Sequence, residues 1–257
     1  MSPAREWDGR SYDRISDFME QLGREVLDRL ALAGDETVLD AGCGSGRVTE
    51  LLLARLPRGR VIGVDGSADM IAVAAERLPA GTELLVQDLT ELDLGGRTVD
   101  AVLSTATFHW IADHDALFAA LRRVLEPGGR LVAQCGGVGN VAGVHEAAAA
   151  VGERDPYAAH LRGWQGPWHF STPEDAERRL RAAGFTDVRT SLLTRPARPP
   201  EPLEYLRTIV LGSHLERLPA DLHEAYVRDV ADVLAARDPE GVVTIDYVRL
   251  NLDATAA

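Results

Sequence analysis

The sequence predicts an α/β fold, an open and mostly parallel sheet with helices on both faces. Strand-like and helix-like runs alternate from Thr37 to Gly137, and strands that alternate with helices join as parallel βαβ units. The stretch VLDAGCGSGRVTELL, Val38 to Leu52, passes from an apolar strand through Gly42, Gly44 and Gly46 into a helical pattern. That junction is where such sheets bind ligands. The 257 residues are 46% hydrophobic, enough for one large domain or a domain with an insertion.

The elements follow in order. Ile15, Met19, Leu22, Val26 and Leu30 recur at helical spacing within residues 11–32, so an amphipathic helix precedes the glycines. TVLDAG reads as a buried strand and RVTELLLARL as a helix. RVIGVDGS is the second strand, and DMIAVAAERL a helix with Ile71, Ala74, Ala75 and Leu78 on one face. TELLVQDL and VDAVLSTA are the third and fourth strands. A helix from about Asp113 to Leu125 stops at Pro127-Gly128-Gly129, a strong breaker, and RLVAQCGG is the fifth strand. An Ala-rich helical stretch then leads into the Gly/Pro-rich aromatic loop GWQGPWHF. STPEDAERRLRAAGF is a helix capped by Thr172 and ended by Gly184, with Pro and acids in its first turn. VRTSLL is a strand. Residues 203–236 are helical, with Leu222, Tyr226, Val230 and Val233 on one face, and VVTIDYVRLNL is the last strand.

Charge and composition narrow the function. The formal charge is −13, which opposes a nucleic-acid footprint or an anionic membrane surface. All the basic side chains are Arg and none is Lys, so lysine Schiff-base chemistry is excluded. No apolar run is long enough to span a bilayer, and MSPAREWDGRSYDR has no export pattern. Cys43 and Cys135 have no metal spacing and read as reduced residues of a cytoplasmic protein; no metal is expected.

The Gly-rich turn separates several ligands. A phosphate-binding P-loop needs Gly-Lys-Ser/Thr, which a chain without Lys lacks. A dinucleotide fingerprint needs a third glycine where Arg47 stands, which weakens NAD(P) binding without excluding it. Asp40-Ala-Gly42-Cys-Gly44-Ser-Gly46 instead resembles motif I of the class I S-adenosylmethionine-dependent methyltransferases. The other landmarks fall in that family's order: Asp65 and Gly66 in GVDGS, Asp88 in VQDL, Ser104 to Trp110 after the fourth strand, and LEPGGRLV before the fifth. The likeness covers about residues 35–137 and is nearest to trans-aconitate methyltransferase-like enzymes of small molecules. It implies a Rossmann-like sheet of seven strands, the last antiparallel. Residues 1–34 would form an N-terminal helical lid and 35–137 the cofactor-binding core. Residues 138–257 would supply the substrate-side lid, a helical insertion before the last strand, and the last two strands.

The resemblance also assigns roles, with S-adenosyl-L-methionine as cofactor and S-adenosyl-L-homocysteine as product. Gly42, Gly44 and Gly46 admit the methionine portion, and Asp40 orients its ammonium or the loop. Asp65 takes the ribose hydroxyls; its alternative is to cap the helix from Ala68. Met70 lies against the adenine or in the core. Asp88 and the Leu89 backbone meet the adenine edge or form a surface turn. Thr105 stands where the sulfonium arrives, and Tyr12 bonds the methionine carboxylate or staples the lid.

On the acceptor side His109 is the candidate base, its alternative being a structural bond to the backbone. Trp110, Trp164, Trp168 and His169 are candidate substrate-wall residues, while His145 and His160 read as helix-surface residues. Arg195 and Arg198 grip an anion or are simply solvated. An ionised carboxylate needs no base, whereas an amine, phenol or carbon nucleophile does. The expected function is methyl transfer to a small molecule by direct displacement, with carboxylate O-methylation ahead of N- or C-methylation of a secondary metabolite by a His109 base. Rivals from other classes are an NAD(P)-dependent oxidoreductase, opposed also by the lack of a Tyr-x-x-x-Lys pair, and a non-catalytic S-adenosylmethionine binder. The expected partner is a small-molecule substrate, with no nucleic acid and no membrane, for a monomer or homodimer.

Overall fold

The computed structural model describes residues 17–257; the expectations for Tyr12 and Ile15 lie outside that range. Seven strands form one sheet: β1 Thr37–Ala41, β2 Arg60–Asp65, β3 Glu83–Val86, β4 Val99–Thr105, β5 Leu125–Gly136, β6 Phe185–Thr194 and β7 Val248–Ala256. Their order across the sheet is β3-β2-β1-β4-β5-β7-β6. The first five pair in parallel, and β7 runs antiparallel between β5 and β6. The direction of winding reverses between β1 and β4, so a crevice opens at the C-terminal ends of these strands.

Period-two alternation builds the two layers. Val38, Val61, Ala101 and Val132 point to one face. There they pack with Val26, Leu27 and Leu30 of helix α1 (Asp17–Arg29) and with Leu52 of α2 (Arg47–Ala54). Leu39, Ile62, Val102 and Leu131 point to the other face. They meet Leu117, Phe118 and Leu121 of α4 (His114–Val124) and Leu180 of α7 (Pro173–Ala182). From Leu22 onward the segment expected as a lid is therefore a layer of the core. Arg29 fixes it there, donating to Asn251 Oδ1 and Ala133 O and pairing with Asp253. Arg47, at the position where a third fingerprint glycine would stand, donates to Glu20 at 2.8 Å and ties α1 to the start of α2.

Several expectations need correction. On α3 (Ala68–Arg77) the buried residues are Met70 and Ala74, with Leu78 just beyond, and Ala75 is exposed. A spacing of four along the helix wins over the 71–74–75–78 face. α4 ends at Val124, before Pro127-Gly128-Gly129, because Leu125 already pairs with Val99. β7 begins at Val248 rather than Val242; Ile245 makes only an isolated bridge to Ala197.

The helical insertion has its own core. α5 (Ala142–Gly152), α6 (Ala158–Leu161), α8 (Pro202–Tyr205), α9 (Gly212–Leu215) and α10 (His223–Arg237) bury Val144, Ala148, Leu206, Leu211, Tyr226 and Val230 together. Leu206–Val210, between α8 and α9, is a π-helical turn.

The glycines of the first loop divide by what surrounds them. A Cβ at Gly42 would lie 2.1 Å from Thr107 Oγ1, whereas one at Gly44 would meet nothing within 4 Å. Both have positive φ. We expect Gly42→Ala to lower stability by about 2–5 kcal/mol, strain plus overpacking. Gly44→Ala should cost only the conformational part, about 1–2 kcal/mol. Urea denaturation of the two variants checks this, and equal losses would contradict the packing difference.

Candidate active site

The crevice above β1 and β2 is built by backbone geometry and two carboxylates. Gly42 N–H and Cys43 N–H both donate to Val64 O, at 2.8 and 3.0 Å, so the loop folds over the end of β2. Asp65 closes that end: Oδ2 accepts Gly44 N–H and Oδ1 accepts Ser67 N–H, each at 2.9 Å. The cap of α3 is Ser67, whose hydroxyl accepts Met70 N–H, so capping is not the role of Asp65. Gly66 completes the turn, and Met70 beyond it is buried.

Asp40 is wholly buried, with 0% exposure. Its Oδ2 accepts from Thr49 Oγ1 at 2.7 Å, and its Oδ1 has no partner among the described residues. Burial raises its pKa to about 6, with the Thr49 bond working against the rise and the nearby Asp65 charge adding to it. A buried carboxylate with an unused oxygen beside an open glycine suits a cationic ligand group. At the end of β3, exposed Asp88 caps a short turn, its Oδ1 accepting from Thr90 N and Oγ1 at 2.8 Å. The side chain of Leu89 is in the core.

Thr105 ends β4 half-buried, and Ala106 after it lines a second cavity. His109, Trp110, Asn140, Val141, His145, Trp168, Phe170, Ile209, Val210, Tyr247 and Arg249 complete its wall. Two of the three non-glycine residues with positive φ among the described residues, Ala106 and Val141, belong to this wall. Each costs of order 1–2 kcal/mol, and such strain gathers at functional sites. His109 is 7% exposed. Its Nδ1 accepts Gly136 N–H at 3.2 Å, so the neutral ring carries its proton on Nε2. Burial holds its pKa well below the usual value, and Arg249 and His114 push the same way. Phe170 stacks on it at 5.8 Å between centroids, and Trp110 leans against it at 5.2 Å.

Of the four residues expected in the substrate wall, Trp110 and Trp168 line the cavity. Trp164 packs at the outer side, 5.8 Å from Trp168 between centroids and under the Arg217 guanidinium. His169 gives only its backbone, N–H to His109 O at 2.8 Å, and its side chain faces a neighbouring groove with His114. His145 is not a surface residue. It stacks on Trp168 at 4.3 Å, its Nε2 is buried without a partner among the described residues, and burial lowers its pKa to about 4, against a smaller upward pull from Asp246. Arg195 is held by Glu25 and Arg198 by Glu240; neither reaches the cavity, where the guanidinium is that of Arg249. Asn140, Phe170 and Tyr247 also escaped the sequence reading, though the PWHF aromatic cluster pointed towards Phe170.

A family model described as a methyltransferase domain matches residues 39–133. An uncharacterized methyltransferase of Schizosaccharomyces pombe is 30% identical over 207 residues, 76% of each chain. A trans-aconitate 2-methyltransferase of Methylobacterium nodulans is 30% identical over 256 residues, 97% of this chain and 98% of that one. The structure of Haemonchus contortus phosphoethanolamine N-methyltransferase 2 with phosphomonomethylethanolamine and S-adenosylhomocysteine superposes with a TM-score of 0.64 at 20% identity, covering 96% of this chain and 56% of that one. At that identity the superposition speaks for the fold alone.

Two outcomes follow from the acids. Asp65→Ala should weaken S-adenosylhomocysteine binding by about 1.5–3 kcal/mol, the range for charge-assisted hydrogen bonds; calorimetry showing unchanged affinity would remove Asp65 from the site. The raised pKa of Asp40 means that folding takes up a proton between pH 3.8 and about 6. Its contribution to stability is therefore full below 3.8 and lost as pH rises through 6, a penalty of about 3 kcal/mol. Without cofactor, Asp40→Asn should melt higher than wild type at pH 8, and the gap should shrink as pH falls towards 4. A gap independent of pH in a thermal-shift series would mean that the carboxyl does not titrate there.

Proposed function

The chain belongs to the class I S-adenosylmethionine-dependent methyltransferases, close to the trans-aconitate 2-methyltransferases, and from that premise we propose that it methylates a carboxylate oxygen of a small organic acid by direct displacement. The cofactor supplies a methyl group already activated on a sulfonium. The residues present fit it: the unpartnered Oδ1 of Asp40 suits its ammonium, the open space at Gly44 its methionine chain, and the Asp65 carboxylate its ribose hydroxyls. Met70, Asp88 and Leu89 follow the ends of β2 and β3, the side on which the adenine would rest, and Thr105 ends β4, where the methyl end would come. Enzyme class and cofactor agree with the family model and the relatives; the acceptor is our reading.

One observation carries that reading. His109, the candidate base, uses Nδ1 to accept Gly136 N–H and so offers the cavity an N–H rather than a lone pair. A neutral imidazole in that tautomer is a donor. The other imidazole in the wall, His145, has a pKa of about 4 and is a poor base at neutral pH. Tyr247 is engaged with the Tyr205 hydroxyl at 2.9 Å. An acceptor that needs no deprotonation matches such a wall, and a carboxylate is one. Rate then comes from alignment and from the closed aromatic surround of Trp110, Trp168 and Phe170. The trans-aconitate 2-methyltransferase of Methylobacterium nodulans points to trans-aconitate as the first acid to assay.

His109→Asn keeps an acceptor for Gly136 N–H and removes the titrating ring. Turnover of trans-aconitate should fall less than tenfold, the loss of one neutral hydrogen bond of about 0.5–1.5 kcal/mol. The wild-type rate should be flat through pH 6.5 and decline only where the substrate carboxylates protonate. A loss of a hundredfold or more, together with a rate that rises through the imidazole range, would instead mark His109 as a general base.

A further inference from the structure

On the preceding reading of the cavity as the acceptor site, on which this rests, we propose that Asn140 binds the acceptor: with the Nε2–H of His109 it holds one oxygen of the carboxylate and leaves the other to take the methyl group. Asn140 is 5% exposed and lines the cavity. Its Oδ1 accepts the N–H of Val248, the first residue of β7, at 3.0 Å. A backbone N–H only donates, so the amide oxygen is fixed on that side and the NH2 is left as a donor. The backbone around it is pinned as well. Asn140 N–H donates to Gly137 O, and the N–H of Val141, whose φ is 48°, donates to Asp246 O. His109 obeys the same logic, since its Nδ1 accepts Gly136 N–H and its proton is on Nε2. Turning over either group would set a donor against a backbone donor.

Gly136, at the end of β5, brings the two donors together. Its N–H is bonded to His109, and a Cβ on it would lie 2.8 Å from Asn140 Nδ2 and 2.7 Å from Phe170 Cε1. Gly136 is outside the left-handed region, so packing and not backbone conformation demands a glycine there. A hydrogen in place of a side chain lets the amide and the ring close on the strand end. β5 is two strands from β1, whose loop builds the cofactor crevice. That is roughly 10 Å at ordinary strand spacing, so the donor pair belongs to the acceptor side of the site.

The chemistry of the transfer explains why neutral donors suit it. One carboxylate oxygen gives a lone pair to the methyl carbon. The new C–O bond forms as the C–S bond breaks, and the pair of the broken bond stays on sulfur. A carboxylate and a sulfonium become an ester and a thioether, and no proton moves. The second oxygen accepts hydrogen bonds throughout, first as a carboxylate oxygen and then as the ester carbonyl. Donors to it therefore act in the ground state and the transition state alike. They fix which lone pair of its neighbour faces the methyl group, and being uncharged they draw less charge from the nucleophile than a cation would. Binding that is equal in both states shows in KM more than in kcat.

The test is calorimetry of enzyme saturated with S-adenosylhomocysteine, using as probe the tightest binder among trans-aconitate, crotonate and benzoate. Asn140→Asp keeps an oxygen for Val248 N–H but sets a second oxygen where the NH2 was. It should weaken the probe at least tenfold, with S-adenosylhomocysteine affinity within twofold of wild type. In turnover its KM for the acid should rise by a larger factor than its kcat falls. Should the aspartate variant not fold, Asn140→Ala decides, with a loss of at least threefold expected for one hydrogen bond. Unchanged probe affinity in the variant, a loss confined to S-adenosylhomocysteine, or a wild type that binds none of the three acids would each overturn the role of Asn140. The two readings fail separately. Asn140-dependent binding with no methyl ester formed from any of the acids retains the donor pair and removes carboxylate methylation. Methyl ester formed with the same KM by wild type and variant retains the reaction and removes the donor pair.

Discussion

The carboxylate of Asp65 accepts one backbone N–H from the loop after β1 and one from the turn after β2, and the ligand edge of the sheet is arranged around that double bond. It sets how far the Gly42–Gly46 loop folds over β2, and it fixes the turn in which Ser67 caps α3. It also places a negative charge close to the buried Asp40, whose carboxyl responds with a raised pKa. Two acids in one crevice, one of them wholly buried with an oxygen that has no partner among the described residues, cost stability. A sequence keeps such a cost where a ligand relieves it.

This half of the site was legible in the sequence. β1 to β4 and their helices follow one another closely, their period is regular, and the acids stand at strand ends that the pattern locates. The other half comes together only in three dimensions. The sequence marks VVTIDYVRLNL only as the last strand and does not single out Arg249; β7 is inserted between β5 and β6 and met by α1, so Arg249 is buried and Asn251 and Asp253 are met by Arg29. His145 lies on a helix apolar nearly all round, AGVHEAAAAVG, where periodicity does not single out a buried face. Its burial comes from Trp168 and Phe170, which arrive from the loop before α7. Between the two readings of Arg195 and Arg198, anion grip or solvated side chain, the structure pairs each with a carboxylate of the chain itself, Glu25 and Glu240, away from the cavity.

The cavity beside His109 lies on the seam between two hydrophobic cores. The sheet core supplies the strand ends, and the insertion supplies Ile209 and Val210 from the π-helical turn. Irregular helix and left-handed backbone at Ala106 and Val141 both occur on this seam. Each is unfavourable locally and persists because packing from both cores fixes it. Surfaces joined in this way can be reshaped by changes in the insertion while the cofactor crevice stays as it is, which is how one fold serves many acceptors.

The two halves of the site carry opposite charge. Asp40 and Asp65 make the β1–β2 end negative, and Arg249 makes the β7 end positive. On the proposed reading, a cofactor bearing an ammonium and a sulfonium is matched to the first, and a carboxylate acceptor to the second. The chain as a whole carries a formal charge of −13, which alone would repel such an acid. At physiological ionic strength that field fades over about 8 Å, whereas a buried guanidinium acts through protein rather than water and is screened far less. The same cation also helps to keep His109 neutral. If the acceptor is an ionised acid as proposed, its recognition and the absence of a charged base are one electrostatic arrangement: a cation in the wall that would attract such an acceptor also disfavours protonation of His109, which a base-dependent acceptor would require.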